Sequence, residues 1–144
     1  MTGARLHEAL AAAFAAEGVE TTFALMGNGN MHWLYDLAKR HNVRNVHVRH
    51  EHCAVAAAEG YARATGRVGV AAVSAGPAYT QIMTALAASS RARMPVVVLA
   101  GEAPIALAYH AHRIDQPGLT VPTGAHYVQL HALDRIFGDV REAF

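Results

Sequence analysis

The chain has 144 residues, 53% of them hydrophobic, and its 12 basic and 11 acidic residues leave a formal net charge of +1. This length and apolar content suit one compact domain with a sizeable core. The charges are scattered, so they give no electrostatic footprint for nucleic acid or an anionic membrane, and small-molecule chemistry is the better expectation. A single cysteine excludes an internal disulfide, and no apolar run reaches the roughly 18 residues of a membrane span. The start of the chain also lacks the apolar run of a secretory signal, so we expect a cytoplasmic protein.

Helices and strands alternate in the first two thirds of the chain. Apolar residues at helical spacing, closed by Gly18, predict a helix over about residues 4–17. Strands are then predicted at 22–26, 43–49, 68–73 and 96–100, with helices at 31–40, 52–64 and 79–90 between them. The last two strands, VGVAAV and PVVVLA, are nearly all apolar, as expected of central strands covered on both faces. Alternation this regular predicts a parallel sheet.

The pattern weakens after Glu102. Residues 103–124 predict a helix fragment and a long loop, 126–130 a possible last strand, and 133–144 a helix. The predicted fold class is therefore α/β, with a doubly wound, mostly parallel sheet of about five to six strands and helices on both faces. We predict a single domain over residues 1–144.

In an open parallel sheet, ligands bind beyond the carboxyl ends of the strands, so the loops at 27–30, 50–52, 74–78 and from 101 onward are candidate sites. Glu51 lies in the second of these, at the predicted start of a helix and between His50 and His52. One interpretation is an exposed carboxylate stabilised by the positive end of the helix. The other is a proton partner in the ligand crevice, with Cys53 to Val55 helping to exclude water.

Other chemistry-bearing residues give weaker signals. Ten histidines include two HxH pairs, His50 with His52 and His110 with His112, but there is no HExxH and no second cluster at a characteristic spacing. We therefore predict no metal site in this chain. Cys53, near a predicted helix start, fits a small core residue better than a nucleophile.

Two loops contain glycine. GNGN at 27–30 matches neither GxGxxG nor the P-loop pattern, and a tight strand-to-helix turn explains its glycines as well as phosphate binding does. SAGPA at 74–78 fits a turn that begins a helix with Pro77. A glycine there also lets the backbone pass close to a flat ligand.

Taken in order, these segments resemble the pyrimidine-binding domain of thiamine diphosphate enzymes of the acetolactate synthase, benzoylformate decarboxylase and pyruvate decarboxylase group. GNGNMHWLYDL is similar to that family's first turn and helix, and RHEHCAVAAAEGYARATGRVGV to its glutamate segment. SAGPAYTQ is similar to its TSGPGATN loop, and PVVVLAGEAP to its strand that ends in a polar residue. The resemblance covers about residues 4–140, and the glutamate segment is the most diagnostic part.

The resemblance implies a role for each matched position. Glu51 corresponds to the catalytic glutamate, whose carboxyl group hydrogen-bonds N1′ of the aminopyrimidine and so promotes loss of the thiazolium C2 proton. A 2-keto acid is then decarboxylated and either released as an aldehyde or joined to a second carbonyl compound. Asn28 and His112 are implied on the substrate side. The implied cofactor-binding residues are Glu51, Gly27, Asn28, Ser74, Gly76, Pro77 and Gln81.

Several positions depart from the family pattern. Ala78 stands at the second glycine of the family's GPG and Gln81 at a frequent asparagine, so the approach of the backbone to the pyrimidine is expected to differ. Asn28 stands where carboligases tend to have glycine and several decarboxylases an acidic residue, which leaves the reaction branch open. FGDVR, at 137–141, is not the GDG motif with which the family's second domain holds the diphosphate.

The resemblance thus implies thiamine diphosphate as cofactor, with Mg²⁺ held by a domain not present in this chain. The implied partners are a 2-keto acid, a diphosphate-binding domain or subunit, and further copies in a homodimer or higher oligomer. The chain would be a separate subunit, an excised domain or a remnant without catalysis, and we do not expect it to be active alone. The alternative is a catalytically silent doubly wound module that binds a partner protein or a small regulatory ligand through the same crevice.

Overall fold

Four parallel strands form the centre of the structure, a computed structural model that describes residues 5–107 and 109–144. The strands are β1 (Thr21–Ala24), β2 (Arg44–His47), β3 (Gly69–Val73) and β4 (Val96–Ala100). Their order in the sheet is β2-β1-β3-β4, and every pairing is parallel. The α/β class with a parallel sheet is confirmed, with four strands in the described residues where the sequence predicts five to six.

Helices cover both faces of this sheet. The helices are α1 (Leu6–Ala16), α2 (Met31–His41), α3 (Glu51–Thr65), α4 (Pro77–Thr80), α5 (Met83–Arg91), α6 (Gln116–Thr120) and α7 (Ile136–Ala143). One apolar cluster joins α1, α2 and α7 to one face, and a second joins α3, α4 and α5 to the other. The chain is therefore doubly wound. None of the described helices is long and apolar enough to cross a membrane.

Helix ends follow local chemistry where the sequence contains it. Gly66 closes α3 in the left-handed conformation at φ 70°, as predicted, and Asn42 closes α2 in the same way at φ 56°. The predicted helix at 79–90 is wrong in one respect, because a turn at Gln81 and Ile82 divides it into α4 and α5. The backbone N–H of Ile82 donates to Tyr79 O, which tightens the turn and leaves Ile82 fully buried and Gln81 exposed.

The carboxyl-terminal third departs most from the prediction. The predicted strand at 126–130 is wrong, because this segment pairs with no strand among the described residues. Side chains hold it instead, since Gln129 Nε2 donates to Glu102 Oε2 at 2.9 Å and Tyr127 Oη to Gln129 Oε1 at 3.1 Å. The predicted helix fragment within 103–124 is α6, followed by a 3₁₀ turn at Val121–Thr123, and Ala108 lies outside the described residues.

Two helix boundaries differ as well. The last helix begins at Ile136 rather than at residue 133. The first begins at Leu6, and its predicted start at residue 4 lies outside the described residues.

A buried carboxylate ties α1 to α2. Asp36 of α2 is 3% exposed, pairs with His7 of α1, and accepts a hydrogen bond from Arg40 Nε at 2.9 Å. Burial by itself raises the pKa of Asp36, but the hydrogen bonds with His7 and Arg40 outweigh it and hold the pKa below its ordinary value of 3.8. The first helix is thus held by a hydrogen bond to a buried carboxylate in addition to its apolar face.

Helix α3 lies so close to β3 that only glycine fits at Gly69. A Cβ atom there would be 2.0 Å from Ala58 O, whereas a Cβ on Gly60, in the middle of α3, would meet nothing within 4 Å. We expect Gly69→Ala to lower the free energy of unfolding by about 1–3 kcal/mol or more, because α3 must move off the sheet. Gly60→Ala should raise it by up to about 1 kcal/mol through helix propensity.

Urea unfolding of both variants measures this difference. A Gly69→Ala variant as stable as the parent chain would contradict the close packing of α3 on β3.

Candidate functional site

The order of the strands places a crevice at the carboxyl edge of the sheet. β1 pairs with β2 on one side and with β3 on the other, so the chain reverses direction across the sheet at β1. In doubly wound sheets, ligands bind at such a switch point, outside the carboxyl ends of the strands. The loops that follow β1 and β3 are therefore the first place to look for a site.

The loops after β1 and β4 approach each other backbone to backbone. A Cβ atom on Gly29 would be 3.0 Å from Gly101 Cα, and one on Gly101 would be 2.7 Å from Gly29 Cα. Ser74 fills the space beside them, since a Cβ on Gly27 would be 2.7 Å from its Oγ. The loops after β1, β3 and β4 thus form a single floor that has no room for further side chains.

Asn30 fixes the first loop. It is 2% exposed, its Oδ1 accepts from the Gly27 N–H at 2.8 Å, and its Nδ2 donates to Leu25 O at 3.0 Å. Asn28, two residues earlier, is left exposed at the border of the crevice. Asn30 was not predicted as a site residue, although its position directly before α2 is one where asparagine is favoured.

The loop after β3 contacts His112. Gly76 has φ 64°, and a Cβ there would be 2.6 Å from both Cα and O of His112. Pro77 follows as the first residue of α4, and Gln81 is exposed at its end. Of the predicted residues, the structure therefore brings Gly27 together with Ser74 and Gly76 together with His112, whereas Pro77 and Gln81 only flank the loop.

Glu51 is the first residue of α3, at the carboxyl edge of the sheet beyond β2. The ring Nδ1 of the preceding residue, His50, accepts from the backbone N–H of His52 at 3.1 Å and so caps the helix. Glu51 is half-buried, and within residues 5–107 and 109–144 its carboxylate forms no hydrogen bond or ion pair. Ala54 and Val55 are fully buried behind it, but Cys53 is exposed and does not shield it.

Glu59 lies two turns further along α3, and both of its carboxylate oxygens accept hydrogen bonds. Ser89 of α5 donates to its Oε2 at 2.6 Å, and Arg63 donates to its Oε1 at 2.9 and 2.7 Å. These hydrogen bonds hold the pKa of Glu59 below its ordinary value of 4.5, although partial burial acts in the opposite direction. Glu59 therefore links two helices, while the carboxylate of Glu51 has no partner in the parts of the chain that the structure describes.

A separate crevice of about 790 Å³ opens beside β4. It borders Asn28 and Gly29 but not Glu51 or Ser74, so this crevice and the predicted catalytic carboxylate are different places. Two tyrosines line it. Burial raises the pKa of Tyr127 to about 12, with a further contribution from the negative charge of Glu102, and burial also raises the pKa of Tyr79, so both phenols stay protonated at neutral pH.

A buried polar chain supports this region. Tyr79 Oη is bonded to Thr120 Oγ1, Thr120 Oγ1 donates to Gln116 O at 2.7 Å, and Gln116 Nε2 donates to Gly101 O at 2.7 Å. These hydrogen bonds fix α6 against the end of β4 and so position Gly101 against Gly29. Sequence reasoning missed these residues, because nothing local marks Gln116 as buried.

The glycine floor and the Glu51 carboxylate suit a flat, polar ring of a cofactor. The glycine floor admits a planar ring at close range, and the Glu51 carboxylate is available to a ring nitrogen. Across the described parts of the chain, no group of three or more His, Cys, Asp or Glu side chains is placed to hold a metal ion. The donor set therefore fits the pyrimidine of thiamine diphosphate.

Comparison with known proteins identifies the family. Residues 4–120 match the family described as thiamine pyrophosphate enzyme, N-terminal TPP binding domain. This match covers most of the chain, and the chain belongs to that family. The resemblance seen in the glutamate segment and the glycine loops is thereby confirmed.

The matching relatives are much longer proteins. A probable acetolactate synthase large subunit of Methanocaldococcus jannaschii is 34% identical over 139 residues, 95% of this chain and 23% of the relative. An acetolactate synthase large subunit of Mycobacterium tuberculosis is 43% identical over 89 residues, 62% of this chain and 16% of the relative. A 2-hydroxyacyl-CoA lyase 2 of Mus musculus is 44% identical over 96 residues, 67% of this chain and 15% of the relative. The chain therefore spans less than a quarter of each.

The contacts of Glu59 predict a pH-dependent contribution to stability. Because the pKa of Glu59 is depressed in the folded state, its ionised form stabilises the fold above pH 4.5, and this contribution disappears as the pH falls through the folded-state pKa. We expect Glu59→Gln to lower the free energy of unfolding at neutral pH by about 1–3 kcal/mol. The difference from the parent chain should shrink as the pH falls below 4.5.

Urea unfolding between neutral pH and about pH 3 tests this. Glu20→Gln is the matched control, because Glu20 forms an exposed ion pair with Arg67 and should matter far less. A Glu59→Gln effect of the same size at every pH would contradict the assignment.

Proposed function

We propose that this chain forms the pyrimidine-binding half of the active site of a thiamine diphosphate dependent 2-keto acid decarboxylase or carboligase. The observation that carries the proposal is the carboxylate of Glu51, half-buried at the carboxyl edge of the sheet and without a hydrogen-bond partner among the described residues. In a chain of this family, such a group is suited to exchange a proton with a ligand.

The role of Glu51 is to hold a proton between its carboxyl oxygen and N1′ of the aminopyrimidine. The bound cofactor supplies the electron sink for decarboxylation. Buried Ala54 and Val55 exclude water behind the carboxylate, which keeps its proton from being lost to solvent. The helix terminus positions the carboxylate, because the His50 cap fixes the first turn of α3.

The neighbouring loops position the ring and the substrate. Gly27, Ser74 and Gly76 provide the surface on which the pyrimidine lies, and Pro77 and Gln81 flank it. Asn28 and His112 are exposed beside this surface and contact the 2-keto acid.

The remainder of the site comes from another domain or subunit. The described residues contain no metal-ligand cluster, which supports a diphosphate and Mg²⁺ site elsewhere. Because each crevice then needs groups from two bodies, we propose that the working protein is a dimer or higher oligomer.

The proposed role of Glu51 predicts a large effect on activation of the cofactor. In the complete enzyme containing this domain, we expect Glu51→Gln to slow hydrogen-deuterium exchange at the cofactor C2 by about 10²- to 10⁴-fold, because the amide cannot give up the proton. Stability should change by at most about 1 kcal/mol, the usual value of a charge at a helix terminus.

Glu59→Gln is the control on the same helix. It should lower stability and leave C2 exchange nearly unchanged, since Glu59 bonds Ser89 and Arg63 rather than the crevice. Unchanged C2 exchange in Glu51→Gln, or a collapse of its melting temperature, would remove the catalytic assignment.

The absence of a metal cluster from the described residues predicts weak binding of the cofactor to this chain alone. Only stacking and the hydrogen bonds to the pyrimidine remain, so calorimetry should give a dissociation constant far above the micromolar range. An activity assay should detect no decarboxylation by this chain alone. Thiamine lacking the diphosphate should bind about as well. Submicromolar binding that requires the diphosphate would contradict the proposal and indicate a phosphate site in this chain.

A further inference from the structure

Both HxH pairs of the sequence form the same local structure. The backbone N–H of His52 donates to His50 Nδ1 at 3.1 Å, and the backbone N–H of His112 donates to His110 Nδ1 at 3.1 Å. In each pair, the carbonyl oxygen of the first histidine also accepts from the backbone N–H three residues later, at 3.0 and 2.9 Å. These two structures, at 50–53 and 110–113, are histidine turns with identical bonding.

The covalent geometry of imidazole explains the spacing of these pairs. Nδ1 of histidine is bonded to Cγ, as is Oδ1 of asparagine, so it reaches the backbone N–H two residues later in the way that the oxygen of an Asx turn does. An imidazole nitrogen accepts a hydrogen bond only when it carries no proton. Both histidine turns therefore require a neutral first ring, with its proton on Nε2.

The first histidine turn encloses Glu51. His50 is extended, at φ −156° and ψ 142°, and its side chain caps α3. Glu51 lies between the two residues that the bond from His52 N–H to the His50 ring joins. That bond fixes the backbone on both sides of Glu51, so it also fixes the direction in which the carboxylate leaves the helix.

The second histidine turn holds His112 against the loop after β3. A Cβ atom on Gly76 would be 2.6 Å from both Cα and O of His112. Arg113 Nη2 donates to Pro104 O at 2.8 Å and to Leu107 O at 2.6 Å, which secures the far side of the turn. The backbone of His112 is therefore placed between the turn and Gly76.

The first ring of each turn has few charged neighbours. The adjacent charged side chains are Arg49 and Glu51 at the first turn and Arg113 at the second, and the loop 74–78, which contacts the second turn, has none. The second histidine of each pair is the titratable group that meets the first ring, at centroid distances of 6.5 and 5.4 Å. Within the described parts of the chain, neither first ring forms an ion pair. Protonation of either ring therefore acts directly on its bond to the backbone.

We propose that His50 and His110 are positioning residues of the proposed site, which fix the backbone of Glu51 and of His112 through unprotonated Nδ1 atoms. When either ring takes up a proton, its Nδ1 becomes a donor that faces another donor, and the bond is lost. Imidazoles ordinarily titrate between about pH 5 and pH 8, so both residues are held less firmly in mildly acidic solution. The inference rests on the proposed function for the roles of Glu51 and His112, whereas the turns themselves are properties of this chain.

Amide hydrogen exchange of this chain, followed by NMR, tests the two bonds without the cofactor. We expect the protection of the His52 and His112 amides, corrected for the intrinsic effect of pH, to fall at least about threefold between about pH 8 and pH 5, with the titration midpoint of the ring two residues before. The amide of Gly118 is the control, because it donates to Asp115 Oδ1 at 2.9 Å and carboxylates titrate at lower pH. Protection of His52 and His112 that does not change with pH would overturn the proposal.

Asparagine variants separate the hydrogen bond from the charge. In His50→Asn and His110→Asn, the side-chain oxygen accepts the same backbone N–H and does not titrate, so protection of the His52 and His112 amides should persist at about pH 5. In the corresponding alanine variants, it should be low at every pH. If the asparagine variants lost protection with falling pH as the parent chain does, another group would control the turns and the proposal would be wrong.

Exchange at the cofactor C2, in the complete enzyme containing this domain, tests the effect on Glu51. We expect His50→Ala to slow it by about tenfold at neutral pH, since a small displacement of a reacting group has effects of this order. His50→Asn should recover most of this loss and should lose less rate than the parent enzyme between about pH 8 and pH 5. His47→Asn is the matched control, because His47 is exposed on β2 and lies outside both turns, and it should keep the parent profile.

The outcomes distinguish this inference from the proposed function. If His50→Asn were as slow as His50→Ala, or lost rate in acid as the parent does, the positioning role of His50 would be refuted, and a large effect of Glu51→Gln would still stand. Intact histidine turns with unchanged C2 exchange in Glu51→Gln would refute the proposed function and the positioning role with it. If His50→Ala does not fold, His50→Asn and the amide exchange of the unsubstituted chain decide the question.

Discussion

The contact between the backbones of Gly29 and Gly101 is the constraint on which the carboxyl edge of the sheet depends. Each residue would place a Cβ within about 3 Å of the other's Cα, so the loops after β1 and β4 meet at a separation that only glycine allows. Ser74, from the loop after β3, lies beside them, and its Oγ accepts a hydrogen bond from the backbone N–H of Gly29. Three separate stretches of sequence thereby act as one surface. Asn30 and Gln116 hold this surface from opposite ends, one through Gly27 and the other through Gly101.

Helix α3 contains two glutamates, Glu59 and Glu51, that differ in their contacts. Glu59 is paired with Ser89 and Arg63, and its ionised form stabilises the packing of α3 on α5. Glu51, on the same helix, is half-buried and has no such partner in the described residues. The contrast between the two glutamates, rather than the position of Glu51 alone, supports its proposed role.

The sequence predicts the features that depend on local pattern. Short apolar runs that alternate with helical patterns located the four strands of the described residues, and Thr65-Gly66 located the end of α3, because periodicity and capping act within a few residues. The break at Gln81 and the burial of Asn30 and Gln116 were not predicted, since each depends on a partner distant in the sequence or on packing against another element. The strand predicted at 126–130 failed for the same reason. A segment can have strand composition and still remain unpaired when no neighbouring strand reaches it.

Two departures from the family pattern have different structural consequences. Ala78, where the family has glycine, is 9% exposed, so its methyl group is accommodated on the inner side of α4 and adds little to the ligand surface. Asn28 is exposed at the border between the glycine floor and the crevice, and the bonds of Asn30 fix the backbone that carries it. A side chain in that position can change the reaction without changing the fold. Of the two departures, Asn28 therefore changes the exposed surface of the proposed site more than Ala78 does.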